Sequence, residues 1–315
     1  MPHSAGAQWK MLPVVFLLLI LSLCFSAAPS AWALDENEIE YELKFLLDPE
    51  LVLTDEHLLT ADMCALIGAE PEYRAIDVIY LETPARSFDR EGWINRIRWK
   101  ENKKKIECTY KKRYPLSGTD AEAIHAALAQ AEADGFRFSD KGFSAEIDWG
   151  YAQMTLSVTQ ETSGKYKDYK SLSEFSTADA AKFLKSTMPK EELNWGGAKW
   201  GASMLERAQM LGPLRYQRFK GEWEGSEVQV DIWPLQDGCT VELSFTVSGL
   251  EDAAFMRAQM TALLEEKGVL LHRDSLKTQA ILDGYLTDDP REPDAVSPKS
   301  VPQDTETRGL DGLQN

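Results

Sequence analysis

Between residues 38 and 46 the chain alternates without a break. Ile39, Tyr41, Leu43 and Phe45 fall on one side of an extended segment, and Glu38, Glu40, Glu42 and Lys44 on the other. A period of two admits a strand buried on one face and excludes a helix, whose apolar stripe would recur every three to four positions. The pattern returns along the chain. Strands are expected at 73–81, 93–100, 105–113, 153–159, 214–223, 228–233 and 240–247, with 93–100 and 105–113 joined as a hairpin by Glu101-Asn102-Lys103-Lys104. Helical signals interrupt them. Thr119 with Glu122 reads as a capping box and Gly135 as a stop. Residues 251–267 form the clearest helix, with Phe255, Met256, Met260, Leu263 and Leu264 as its core stripe. Two shorter helices are expected around Pro189 in 177–211.

The polar faces of these strands are sorted by sign. Glu40, Glu42 and Lys44 share a face on the first strand, and Arg96, Arg98 and Lys100 on the first strand of the hairpin. Glu107, Thr109, Lys111 and Arg113 share one on its second strand. Residues 93–113 hold nine Lys or Arg against two Glu, in a chain with 34 Lys and Arg against 51 Asp and Glu and a net charge of −17. Adjacent carboxylates on one face repel unless a cation lies between them, and Mg²⁺ or Mn²⁺ takes such hard oxygen donors together with phosphate oxygens. Arginine forks match phosphate oxygens, and lysine adds a point charge. Arg218 and Lys220, Asp231, and Glu242 with Ser244 continue the pattern on the late strands. If these strands close into a barrel, acids and bases meet across its lumen.

The overall acidity argues against a binder of nucleic-acid duplexes and against adsorption on an anionic membrane. With 43% hydrophobic and 27% charged residues the composition is globular. No CxxC or Cys/His zinc spacing occurs among the four Cys, and the four His, at 3, 57, 125 and 272, are scattered. Residues 1–33 read as a secretory signal: Lys10, an apolar run from Leu12 to Leu23, and Ala31-Trp32-Ala33 as the cleavage site, with cleavage expected after Ala33. The expected location is therefore periplasmic or secreted, with no membrane attachment once the signal is removed. Export implies an oxidising compartment, so Cys64, Cys108 and Cys239 admit one disulfide plus a free thiol, with the pair left open. Residues 34–286 are expected as one domain, and 287–315 as a disordered acidic, Pro-rich tail.

Glu40-Tyr41-Glu42-Leu43-Lys44 matches the ExExK signature of the CYTH superfamily, the triphosphate tunnel metalloenzymes that include class IV adenylate cyclase and thiamine triphosphatase. Tyr80-Leu81-Glu82-Thr83-Pro84, Arg96-Ile97-Arg98, Thr109-Tyr110-Lys111, Arg218, Val230-Asp231, Val241-Glu242-Leu243 and Ser275-Leu276-Lys277 resemble further family segments in family order. The resemblance implies an α+β fold, a closed antiparallel β-barrel of eight strands with flanking helices. It also implies Glu40, Glu42, Glu242 and Asp231 as ligands of Mg²⁺ or Mn²⁺. Lys44, Arg96, Arg98, Lys111, Arg113 and Arg218 would grip a small phosphorylated anion, a triphosphate or polyphosphate, with Lys44, Arg96 and Arg98 as catalytic groups.

The chain departs from the family pattern in places. The acidic strand reads Glu242-Leu243-Ser244 where a second carboxylate is usual, Arg218 follows Tyr216 where a basic pair is usual, and 140–200 carries few basic residues. Gln153, Thr155, Ser157 and Thr159 make a neutral face there. Three readings follow: a metal-dependent triphosphatase, a non-catalytic module binding phosphate or polyphosphate, and a scaffold whose charged faces meet only water.

Overall fold

The computed structural model describes residues 39–100, 105–138, 142–164, 169, 171–236, 238–274 and 277–286. The leader (1–33), the tail (287–315), the hairpin turn (101–104) and Ser275-Leu276 lie outside the described residues.

Nine strands are present among them: β1 (Glu40–Leu47), β2 (Arg74–Glu82), β3 (Trp93–Lys100), β4 (Ile106–Pro115), β5 (Ser144–Trp149), β6 (Met154–Gly164), β7 (Gln209–Trp223), β8 (Ser226–Leu235) and β9 (Gly238–Ser248). They form a closed barrel in the order β1-β5-β6-β4-β3-β2-β7-β8-β9, with β9 paired back to β1. The barrel with flanking helices is the expected architecture. The strand count is not: eight antiparallel strands were expected, and β5 adds a ninth. An odd ring cannot alternate direction all the way round, so one neighbouring pair must be parallel. That pair is β1 with β5, running from Glu40 opposite Glu146 to Leu43 opposite Trp149.

The helices are α1 (Pro49–Val52), α2 (Ala61–Leu66), α3 (Ser87–Arg90), α4 (Ala121–Ala133), α5 (Thr177–Thr187), α6 (Lys190–Leu193), α7 (Trp200–Arg207), α8 (Leu250–Glu266) and α9 (Lys277–Tyr285). Thr119 does not cap α4. Asp120 does, accepting the Ala123 N–H at 2.9 Å through its carboxylate, a residue type at least as favoured at N-cap as Thr. Three helices rather than two surround Pro189, which is the N-cap of α6. In α8 the buried residues are Ala253, Met260 and Leu264, and Phe255 is 61% exposed. Two positions on a helix are about 200° apart, so a stripe containing Ala253 turns Phe255 to solvent.

The apolar face of β1 and most of the barrel's apolar residues point away from the lumen, while Tyr80, Ile94, Tyr216 and Trp233 line one part of it. Ile39, Tyr41, Leu43 and Phe45 are all buried in the main core, together with residues of α4, α5, α7 and α8. A second cluster joins Val78, Tyr80 and Trp233 of the barrel to Ile281, Leu282 and Leu286 at its α9 side. With the outer wall occupied by helices, the polar faces are left to line the inside. Cys64 and Cys108 are buried and Cys239 half-buried, and all three thiols are free.

Candidate metal and anion site in the barrel lumen

The lumen is a cavity of about 580 Å³. Strand alternation delivers Glu42 and Lys44 from β1, Arg96 and Arg98 from β3, Lys111 and Arg113 from β4, Arg218 from β7, Asp231 from β8 and Glu242 from β9 to its wall. Glu40 shares their parity on β1 but lies exposed at the strand's start and does not line the cavity. Lys100 likewise falls outside it, paired with Glu107 at 3.0 Å.

Several residues not expected at the site belong to the lumen, Lys277 among them although it ends the family-like Ser275-Leu276-Lys277 segment. Glu146 and Asp148 come from β5, Glu161 from β6 and Lys277 from the first position of α9. The Glu-x-Asp spacing of β5 was a legible signal, but the strand is six residues long. Its pairing with β1 joins residues more than a hundred positions apart.

On one side of the lumen, carboxylates and lysines interlock. Lys44 Nζ lies 2.9 Å from Glu42 and 2.8 Å from Asp148. Lys111 Nζ lies 2.8 Å from Glu146 and 3.5 Å from Asp148. Ser157 donates to the second Asp148 oxygen at 2.6 Å. Burial opposes charge on Asp148, yet Lys111, Lys44 and Arg113 hold its carboxyl well below the usual range. Burial also opposes charge on Lys44, and Asp148 and Glu42 more than offset it, keeping the ammonium above the ordinary lysine value. Burial pushes the Glu42 carboxyl up, with Lys44 pulling the other way.

Glu42, Glu146 and Asp148 each present a carboxylate oxygen within 4.8 Å of the others. Of the four expected ligands only Glu42 belongs to this group. Asp231 is held by a two-bonded fork from Arg218, at 2.7 and 2.6 Å. Glu242 accepts from Lys277 at 2.8 Å.

On the other side, arginines crowd among aromatic rings. Arg96, Arg98 and Arg218 share the cavity wall with Tyr80 and Tyr216. The Arg98 guanidinium is pushed down, first by its neighbour Arg96 and then by burial. The Nε atoms of Arg96 and Arg98 are buried without a hydrogen-bond partner. Arg98 reaches Glu161 at 2.6 Å. The Glu82 of the Tyr80–Pro84 segment plays no part in the lumen. Its carboxylate accepts the N–H groups of Thr83, Phe88 and Asp89 at 2.7, 3.0 and 2.8 Å and so fixes the start of α3. In all, seven cationic side chains line the cavity against five carboxylates, with Asp148 behind them as a sixth.

No family model matches the chain, and no curated protein does. Solved structures similar to it include a candidate adenylyl cyclase from Hippeastrum with a dominant triphosphatase activity, 17% identical over 79% of this chain and 98% of that one, with a TM-score of 0.47. A candidate adenylate cyclase from Bacillus halodurans is 15% identical over 77% and 96%, with a TM-score of 0.43. One from Vibrio parahaemolyticus is 13% identical over 78% and 98%, with a TM-score of 0.37. All three are described as candidate cyclases, and the Hippeastrum protein as chiefly a triphosphatase, which are among the kinds of protein the ordered motifs resemble. At these values the likeness adds no weight to a reading of activity.

Proposed function

We propose that the protein binds a triphosphate or polyphosphate-type anion together with Mg²⁺ or Mn²⁺ in the barrel lumen and hydrolyses a phosphoanhydride bond. One observation carries this reading. A chain of net charge −17 turns seven cationic side chains into one cavity of the barrel, where they outnumber the carboxylates. Crowding like charges in a low-dielectric space is costly, and a polyanion relieves the cost. Arg96, Arg98 and Arg218 are placed to fork phosphate oxygens, with Lys111 and Arg113 beside them on the neighbouring strand β4 and Lys44 on β1.

Glu42, Glu146 and Asp148 fit a hard divalent cation by donor type and spacing. When bound there, such an ion would offset phosphate charge and acidify a coordinated water. Lys44 and Lys111 hold the same carboxylates, so a cation competes with two ammonium groups and frees them for the phosphate chain. In phosphoryl transfer this positioning and charge neutralisation is most of what a protein supplies.

The test is phosphate release by the purified protein from inorganic triphosphate, ATP and long-chain polyphosphate, with and without Mn²⁺. Glu42→Ala is expected to lower metal-dependent release at least about 100-fold. Release that survives this substitution overturns the assignment of Glu42. A specific observation favours the second reading, a binding module without catalysis: Glu242 is neutralised by Lys277, and Ser244 stands where another carboxylate is usual. That protein would show a tripolyphosphate-induced thermal shift and no release with either metal.

Export is part of the proposal and rests on Lys10, the apolar run and Ala31-Trp32-Ala33. Expression with the leader, followed by N-terminal sequencing, is expected to find Leu34 first. Among the described residues no helix is long and apolar enough to cross a membrane.

A further inference from the structure

Glu192 on α6 has no exposed surface, and Asn95 on β3 is 1% exposed. Asn95 lies between Ile94 and Arg96, which both line the lumen, so its side chain is on the outer face of the barrel wall. There its Nδ2 donates to Glu192 Oε1 at 2.6 Å. The other two polar atoms of the pair, Asn95 Oδ1 and Glu192 Oε2, are buried without a hydrogen-bond partner. An ionised carboxylate accepts only, and an amide oxygen accepts only, so two acceptors are left facing a dry environment. One proton satisfies both.

We infer that Glu192 is a carboxylic acid in the folded protein and forms a two-bonded ring with the Asn95 amide. Asn95 Nδ2–H donates to Glu192 Oε1, and Glu192 Oε2–H donates to Asn95 Oδ1. The ring is a proton-dependent clamp of α6 onto β3, behind the strand that carries Arg96 and Arg98. Two titratable groups face Glu192 from neighbouring elements: the Glu82 carboxyl at the end of β2 and the Tyr110 phenol of β4. Neither supplies positive charge. The ammonium of Lys112 on β4 sits over the rings of Tyr114 and Trp195, at 4.5 and 4.7 Å. The next helix packs close to α6, since a Cβ at Gly201 of α7 would meet the Met188 sulfur and the Glu192 backbone carbonyl.

Burial pushes the Glu192 carboxyl up to about 8, with the Asn95 bond opposing and Glu82 adding to the rise. A carboxyl raised on folding is bound more tightly to its proton in the folded state. The clamp therefore contributes fully below the unfolded value of 4.5, weakens above it, and is gone once pH passes about 8. Glu82 itself is raised to about 7 by burial and titrates in an overlapping window. The experiment must separate the two.

Glu192→Gln keeps the shape and offers an amide N–H to Asn95 Oδ1 at every pH. Wild-type melting temperature is expected to fall by about 5 °C or more between about pH 6 and about pH 9.5. The Glu192→Gln protein should lose clearly less over the same range, and the difference isolates Glu192 from Glu82. Infrared spectroscopy of the wild type gives a second readout. It should show at about pH 6 protonated-carboxyl absorption lost in two steps, near about 7 for Glu82 and near about 8 for Glu192, with the second step missing from Glu192→Gln. Parallel melting curves for the two proteins, or no protonated carboxyl lost in the wild type near about 8, overturn the inference.

Discussion

The two sides of the lumen solve the same problem, buried charge, in opposite ways. Where β1, β5 and β6 meet β4, each lysine has two carboxylates and Asp148 accepts from Lys44 and Ser157 while lying 3.5 Å from Lys111. That side is closed on itself. Where β3 meets β2 and β7, Arg96 crowds Arg98 and lowers its affinity for its proton, and both keep an unpartnered Nε. That side is where the proposed anion would add the partners these guanidinium groups lack, although at Arg96 itself burial is outweighed by Tyr80, Tyr216 and Glu161, which keep it above its ordinary value. The contrast is between a half whose buried charges are matched within the barrel and a half where two guanidinium groups crowd with an unpartnered Nε each; under the proposed function the anion binds in that second half.

Breaking the hub of the closed side should have the largest effect. Asp148→Ala leaves Lys44 and Lys111 buried with half of their partners gone. The expected loss is about 3 kcal/mol or more, measured by urea unfolding. An unchanged midpoint would mean that the lysines repartner freely and that the closed side is not structural. The same residue fixes an acid limit. Its carboxyl is held well below the usual range, so its contribution is present above the unfolded value and is lost only as pH falls through the lower folded value. The wild type should therefore keep this contribution at about pH 4 and lose it only in stronger acid.

The open side should show the reverse balance. Arg96→Ala removes the charge that most depresses Arg98. Stability should change by no more than about 1 kcal/mol, while tripolyphosphate affinity drops about 10- to 100-fold, the worth of a charge-assisted bond to phosphate. Calorimetric titration beside the melting curve separates the two. A large loss of stability with intact binding would erase the contrast between the sides.

This same contrast explains what the sequence disclosed. Arg96, Arg98, Lys111 and Arg113 sit on adjacent strands of a local hairpin, and their alternation is enough to put them on one face. The apolar partners Tyr41, Leu43 and Phe45 likewise report their burial directly. Asp148 and Glu146 reach Glu42 only through the parallel β1–β5 pairing, which the odd ring requires and no local pattern announces. Lys277 is hidden for a related reason. It stands at the first turn of a helix, so no strand period marks it as inward-facing. The Thr155–Thr159 face looked inert because its hydroxyls carry no charge, yet Ser157 is what orients Asp148.

Arg218 belongs to the open side but already has a partner, and it should show an intermediate effect. Arg218→Lys replaces a two-bonded fork on Asp231 with a single contact. The expected cost is about 1 to 2 kcal/mol of stability, by urea unfolding, with a smaller loss of tripolyphosphate affinity than Arg96→Ala gives. Equal losses of affinity would show that the fork to Asp231 does not hold Arg218 back from the anion.

Lys220 supplies the smallest effect and the sharpest control. It shares the strand and the parity of Arg218, two positions along β7, but it lies beyond the cavity and pairs with Glu227 at the surface. Surface pairs of this kind contribute about 0.5 kcal/mol or less. Lys220→Ala should therefore leave both melting temperature and the tripolyphosphate shift nearly unchanged. Salt screening adds a second discriminator, because an exposed charge acts on an anion only within a Debye length of about 8 Å at physiological ionic strength. If Lys220→Ala weakens anion binding as much as Arg218→Lys does, the strand's overall basicity rather than its inward face draws the ligand. The division of the lumen into a closed and an open side would then lose its functional meaning.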